Sequence, residues 1–135
     1  MTGFLRKRVM LAAAAMAAVA GIATFQLFDP NLAGNPFPAC VFLAVTDLYC
    51  AGCGITRALH ALAHGDLLRA VQMNLFAVVA MPLLGLMVWF ADSPESLPGG
   101  VARWLYNGYL WVGALIAFWV LRNLPWWPFS WLAPG

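Results

Sequence analysis

From Val9 to Phe28 the chain runs for twenty residues without a charged side chain, directly behind Arg6, Lys7 and Arg8. At 1.5 Å rise per residue such a helix covers about 30 Å, the thickness of a bilayer's hydrocarbon core. In water the whole stretch would need burial, and a chain of 135 residues has too little interior for it. The remainder is no wetter, with 64% hydrophobic and 9% charged residues, where soluble domains carry about 25% charged. Lipid is the solvent this composition suits, so the lipid bilayer is the first expected partner. A net charge of +2, spread thinly, excludes a nucleic-acid-binding surface.

An alternative for the first run is a cleaved signal peptide, because Ala18-Val19-Ala20 is an A-x-A site behind a basic cluster. The apolar stretch continues past it to Phe28, which favours an uncleaved span over 9–28. The run Leu75–Ala91, with its approach from 70, predicts a second span over 70–91, kinked at Pro82. Leu105–Leu121 predicts a third over 104–122. Trp104, Tyr106, Tyr109 and Trp111 lie at one end of it and Trp119, Trp126, Trp127 and Trp131 toward the other, as aromatic belts do at headgroup depth. Between these spans, Asp92–Arg103 reads as a turn-rich loop with no helix of its own. The proline-broken tail NLPWWPFSWLAPG is expected along the membrane surface.

The predicted fold is therefore an all-α integral membrane protein: one domain over 1–135, three transmembrane helices, and a short amphipathic or re-entrant helix after a C-x-x-C-G turn. Basic residues orient it. With the N-terminus cytoplasmic, Arg6, Lys7, Arg8 and Arg103 lie inside and Arg57, Arg69 and Arg122 across the membrane. The cluster abutting the first span dominates such contests. This predicts a multi-pass protein of the cell (plasma or inner) membrane with loop 29–66, and all three cysteines, outside the cytoplasm.

The polar chemistry is concentrated in YCAGCGITRALHALAHGD, residues 49–66. On a helix over 54–65, Ile55, Leu59 and Leu62 stack on one side, and Arg57, His60 and His64 on the other. Gly65-Asp66 ends it as a C-cap. The polar stripe either faces water and headgroups or turns inward to line a site with Arg69, Gln72 and Asn74. Arg57 sits one turn into the helix, where the dipole opposes a cation, so an anionic partner is expected. On that ground Arg57 is predicted to matter more for folding than Arg122.

Four readings fit Cys40, Cys50 and Cys53. A disulfide outside the cytoplasm would staple the loop and leave one thiol over. A knuckle of Cys40, Cys50, Cys53 and His60 would hold zinc, although His60 lies about 10 Å along the helix from Cys53 and must be strained to reach. A C-x-x-C at a helix entrance also suits a redox dithiol. Buried free thiols are the fourth reading. Haem attachment is excluded, since position 54 is Gly. The spacing favours the staple, so no cofactor is expected, with zinc as the alternative.

No paired carboxylates, Ser–His–Asp set or glycine-rich phosphate loop points to an enzyme. The leading expectation is a structural or interaction subunit that contacts another membrane protein or a second copy of itself. A metal-binding or thiol redox sensor is the alternative, and an oligomeric minimal transporter the third.

The pattern Cys40 … Thr46 … Cys50-x-x-Cys53-Gly54-x-Thr56-Arg57-Ala58 … Gly65-Asp66 … Asn74 resembles a family of small bacterial membrane proteins of unknown function. Its signature runs C-P … T-G-x-x-C-P-x-C-G-x-T-R-A, then L-x-x-G-D and N-P. The chain departs from it with Asp47 for Gly, Ala51 for Pro and Leu75 for Pro. The resemblance implies a membrane protein and brings no activity, substrate or cofactor.

Overall fold

The computed structural model describes residues 2–134; the side chains of Thr2, Gly3, Phe4 and Arg6 are not described, so Arg6 of the basic cluster lies outside it. Regular structure among the described residues is helical: α1 (Thr2–Leu27), α2 (Val41–Thr46), α3 (Ile55–Ala63), α4 (Leu67–Trp89), α5 (Gly99–Leu105) and α6 (Gly108–Leu121). Short 3₁₀ turns cover Pro94–Ser96 and Phe129–Leu132. Lys7–Leu27 and Leu67–Trp89 are each long and apolar enough to cross a membrane. The pair α5 and α6, bent by 58°, supplies a third span only if the two are counted as one. This fits a membrane protein.

Local chemistry explains most boundaries. The α3–α4 turn is a Schellman motif: Asp66 N–H donates to Ala61 O (2.8 Å) and Gly65 N–H to Leu62 O (3.0 Å), with Gly65 at φ +76°. Asp66 then caps α4, its carboxylate accepting from Arg69 N–H at 2.9 Å. This tight reversal lays α3 antiparallel on α4, where Ala58 and Ala61 pack against Ala70 and Met73. Small side chains let the two backbones approach closely. The packed face is thus centred on the alanines, with Leu62 packed beside them, whereas Ile55 at the other end of the expected apolar stripe is exposed.

The third span differs from its expectation. Asn107 stops α5 and caps α6, its side chain accepting from Tyr109 N–H at 3.0 Å. Asn107-Gly108 is a turn dipeptide inside an apolar run, and here it breaks the helix. The region Asp92–Arg103, expected to be without a helix, holds the start of α5, because the Pro98 carbonyl accepts from Val101 and Ala102 and so opens a first turn. The proline-rich tail folds back: Phe129–Leu132 packs on α4, and Pro134 reaches Gly54.

Hydrogen bonds fix which ends lie together. Gln26, at the end of α1, donates to Ala63 O of α3 (3.0 Å), and Arg122, at the end of α6, reaches the cysteine turn. At the other end Tyr106 OH donates to Met87 O (2.9 Å). The cysteine motif therefore lies at the end of the helices opposite the Pro94–Ser96 turn.

Candidate functional site

The cysteine turn is built by successive tight turns. Cys53 N–H donates to Cys50 O (3.1 Å), Ile55 N–H to Gly52 O (3.1 Å), and Gly54 takes φ +79°. A Cβ at Gly54 would stand 2.5 Å from Met73 O, so only glycine permits this approach to α4. Cys50 N–H points at the Cys53 sulfur (3.2 Å). The Cys50 and Cys53 sulfurs are 3.1 Å apart, and the Cys40 sulfur, from the start of α2, lies 3.4 Å from Cys50. All three fall within 4.8 Å of one another as free thiols.

The other face of the turn is gripped through its carbonyls. At Asn74, α4 leaves helical geometry (φ −159°, ψ 89°). The sequence expectation is a kink at Pro82, inside α4; the residue of α4 with non-helical dihedrals is Asn74. Its side-chain oxygen accepts from Ala77 N–H (2.9 Å) and so recaps the second half of α4. Its amide donates to Ala51 O (2.9 Å) and Cys53 O (3.1 Å). With Ala77 N–H taken, Met73 O is released from the ladder, and Arg122 Nη2 fills the vacancy at 3.3 Å. Arg122 Nη1 donates to Cys50 O (3.1 Å) and Ala51 O (3.3 Å). Asn123 pairs with both backbone groups of Tyr49, at 2.8 Å each.

Arg122 is 1% exposed, and Asn74 is fully buried. The guanidinium lies 4.8 Å from the Phe118 ring and 5.8 Å from the Tyr49 ring centroid. Among the described residues no carboxylate accompanies it; its electrostatic partners are the Cys53 and Cys50 sulfurs and Tyr49. A buried cation needs compensating negative charge or full hydrogen bonding. Here Nε has no hydrogen-bond partner among the described residues.

The thiols are electrostatically unequal. The Leu43 N–H at the start of α2, then the neighbouring Cys53 and Cys50 thiols, draw Cys40 down to about 7. Burial first, then the Cys50 and Cys40 thiols, pushes Cys53 up to about 12. Cys40 thus ionises before Cys53.

A cavity of ≈ 710 Å³ opens beside the sulfurs, and Thr56 and Arg57 of α3 line it. Thr46 has a local role, donating to Phe42 O (2.7 Å) and accepting from Leu48 N–H (3.3 Å). His60 stands apart from the thiols: its Nε2 is 3.8 Å from Asp29, and its ring lies 4.3 Å from that of His64. The candidate metal-ligand group comprises Cys40, Cys50 and Cys53 without it. The histidines do not join Asn74, which serves the cysteine turn instead. Sequence reasoning missed Arg122 and Asn123 as part of the site. The available signal was a cation and an amide directly behind an apolar run, where ionisable groups usually face the protein interior.

Residues 40–88 match the family model described as a protein of unknown function (DUF2752). The matched stretch begins at Cys40 and ends in the last turn of α4, so it holds the three cysteines and Asn74 but not Arg122. No curated protein and no solved structure matches the chain.

Proposed function

We propose that this membrane protein holds one metal ion, zinc foremost, between the thiolates of Cys40, Cys50 and Cys53. The observation that carries the reading is the convergence of three thiols within 4.8 Å beside a buried guanidinium that lacks a carboxylate. Tetrahedral zinc with Zn–S near 2.3 Å sets sulfurs about 3.8 Å apart, which these positions approach with small outward movements. Three thiolates and a divalent ion sum to one negative charge, and Arg122 matches it. A two-cysteine staple uses neither the third thiol nor the cation.

In this reading α5 and α6 form one broken span, giving three in all, and α2, α3 and the turn make a cap across the membrane from the basic cluster. The cap then faces away from the cytoplasm of a bacterial cell (plasma or inner) membrane. The resembled signature supports the scaffold. Its Gly falls at Asp47, which adopts φ 57°, and its Pro falls at Leu75, the first residue after the Asn74 cap.

Metal content per chain of reduced, detergent-purified protein tests the reading. One zinc per chain is expected, lost in Cys40→Ser, Cys50→Ser and Cys53→Ser alike, because each removes a ligand. Metal-free protein with two oxidised thiols and one free would overturn it in favour of the staple. Impermeant thiol labelling of intact cells, after metal removal, checks the orientation.

A second reading, an interaction subunit, draws on α1. None of its most apolar stretch, within Lys7–Leu27, is buried. Crosslinking from α1 in membranes tests whether another membrane protein or a second copy covers it.

A further inference from the structure

We infer that the chain has a second metal site, separate from the thiols: His60, His64 and Asp29 bind a divalent transition-metal ion such as zinc where the end of α1 meets α3. His60 and His64 stand at i and i+4 at the C-terminal end of α3. That spacing puts two imidazoles one turn apart on one face, as in helical histidine pairs that bind zinc. Their ring centroids are 4.3 Å apart. Asp29, two residues beyond α1, brings a carboxylate oxygen to 3.8 Å from His60 Nε2. Two ligand atoms at about 2.1 Å from a tetrahedral zinc lie about 3.4 Å apart, which this pair approaches. His64 Nδ1 donates to His60 O at 2.9 Å, leaving its Nε2 as the lone-pair nitrogen. Metal-ligating histidines are held in this way, through the N–H of the other ring nitrogen. Among the described residues only the thiols already converge within 4.8 Å, so this set closes by a swing of the exposed His64 ring.

Electrostatics suits a cation here and also limits its affinity. The Asn31 N–H and side-chain amide donate to Asp29 Oδ1 at 2.8 and 2.6 Å. These bonds first, then His60 and Arg69, hold the Asp29 carboxyl below the usual carboxylate range. The carboxylate is therefore ionised at neutral pH and keeps lone pairs beyond the two Asn31 bonds. α3 ends at this point, and the C-terminal end of a helix dipole favours positive charge. Arg69 acts against it, since its charge is felt at Asp29. Two imidazoles and one carboxylate suit zinc, with water in the fourth position, but bind it less tightly than thiolates. The site therefore fills on added zinc, whereas the thiolate centre keeps its ion through purification. An ion held here clips α1 to α3 beside the Gln26 bond to Ala63 O (3.0 Å). That matters because none of the most apolar stretch of α1 is buried.

Untagged, reduced, full-length protein in detergent, titrated with zinc against a chromophoric chelator, tests this. Uptake of one zinc per chain beyond the purified content is expected. His60→Gln and His64→Gln should lose that uptake, and Asp29→Asn should weaken it by at least about tenfold. Arg69→Gln, which removes the opposing charge, should tighten it. Cys50→Ser should leave it in place, so the result is independent of the thiolate centre. In the wild type, added zinc should shield the chain's two histidines from diethyl pyrocarbonate, read by peptide mapping. Absence of added zinc uptake, or the same uptake in His60→Gln and His64→Gln, would overturn the site. Histidine modification that zinc leaves unchanged would do so as well.

Discussion

Arg122 Nη2 donates to Met73 O at 3.3 Å, the carbonyl that α4 releases by breaking at Asn74. One side chain at the end of α6 thus completes a defect in α4 and, through Nη1, holds the cysteine turn in place. Helix break, turn and buried cation form one unit.

Removing that cation should therefore be costly. Arg122→Ala leaves Met73 O without a donor, at a cost of about 1–3 kcal/mol, removes the second donor from the carbonyls of Cys50 and Ala51, and empties the buried space the guanidinium and its stem fill. A loss of about 3 kcal/mol or more is expected in detergent unfolding, against a smaller loss for Arg57→Ala at the cavity wall. This reverses the ranking expected from helix electrostatics alone. Equal losses in the two variants would count against the structural assignment.

Asn74 has both a donor and an acceptor role, which two substitutions separate. Asn74→Asp keeps the oxygen that accepts from Ala77 N–H but loses the amide that donates to Ala51 and Cys53, and sets negative charge against their carbonyls. Asn74→Ala loses both roles without adding charge. Asn74→Asp is expected to be the less stable at neutral pH, and the gap should narrow as acid protonates the carboxylic acid, whose proton restores a donor. Unfolding midpoints at two pH values measure it.

Two glycines with similar φ should respond differently to alanine. Gly54 has φ +79° and Met73 O 2.5 Å from a built Cβ; Gly65 has φ +76° and nothing within 4 Å. Gly65→Ala should cost about 1 kcal/mol, the left-handed penalty alone. Gly54→Ala should cost at least about 2 kcal/mol more, because backbone must move, and it should weaken metal binding. Similar melting temperatures for the two would refute the close approach.

The thiols should alkylate in order in metal-free, reduced protein. Cys40, drawn down to about 7 by the Leu43 N–H and its thiol neighbours, should react with iodoacetamide along a rate profile rising through neutral pH. Cys53, pushed up by burial, should react more slowly than Cys40. Because the folded state lowers the Cys40 pKa, this group adds stability above the ordinary thiol pKa, and the contribution is lost as pH falls through about 7. Peptide mapping after timed alkylation reads the order.

Hydropathy and capping act over neighbouring residues, so the sequence by itself determined the elements that depend on them. Spans expected at 9–28 and 70–91 overlap Lys7–Leu27 of α1 and Leu67–Trp89 of α4 over most of their lengths, and Gly65 and Asp66 end α3 and start α4 through bonds at most five residues long. The clustering of chemistry in 49–66 was legible for the same reason. The location of the break in α4 was not. Pro82 lacks an N–H, a local deficit, yet the chain leaves the helix at Asn74, where released groups find partners. Those partners are Ala51 and Cys53, more than twenty residues upstream, and Arg122, 49 residues downstream of Met73. Nor could spacing bring Cys40 and Arg122 to one turn while sending His60 to Asp29. A buried carbonyl or cation is tolerated only where its partner is in place, and only tertiary packing decides where that is.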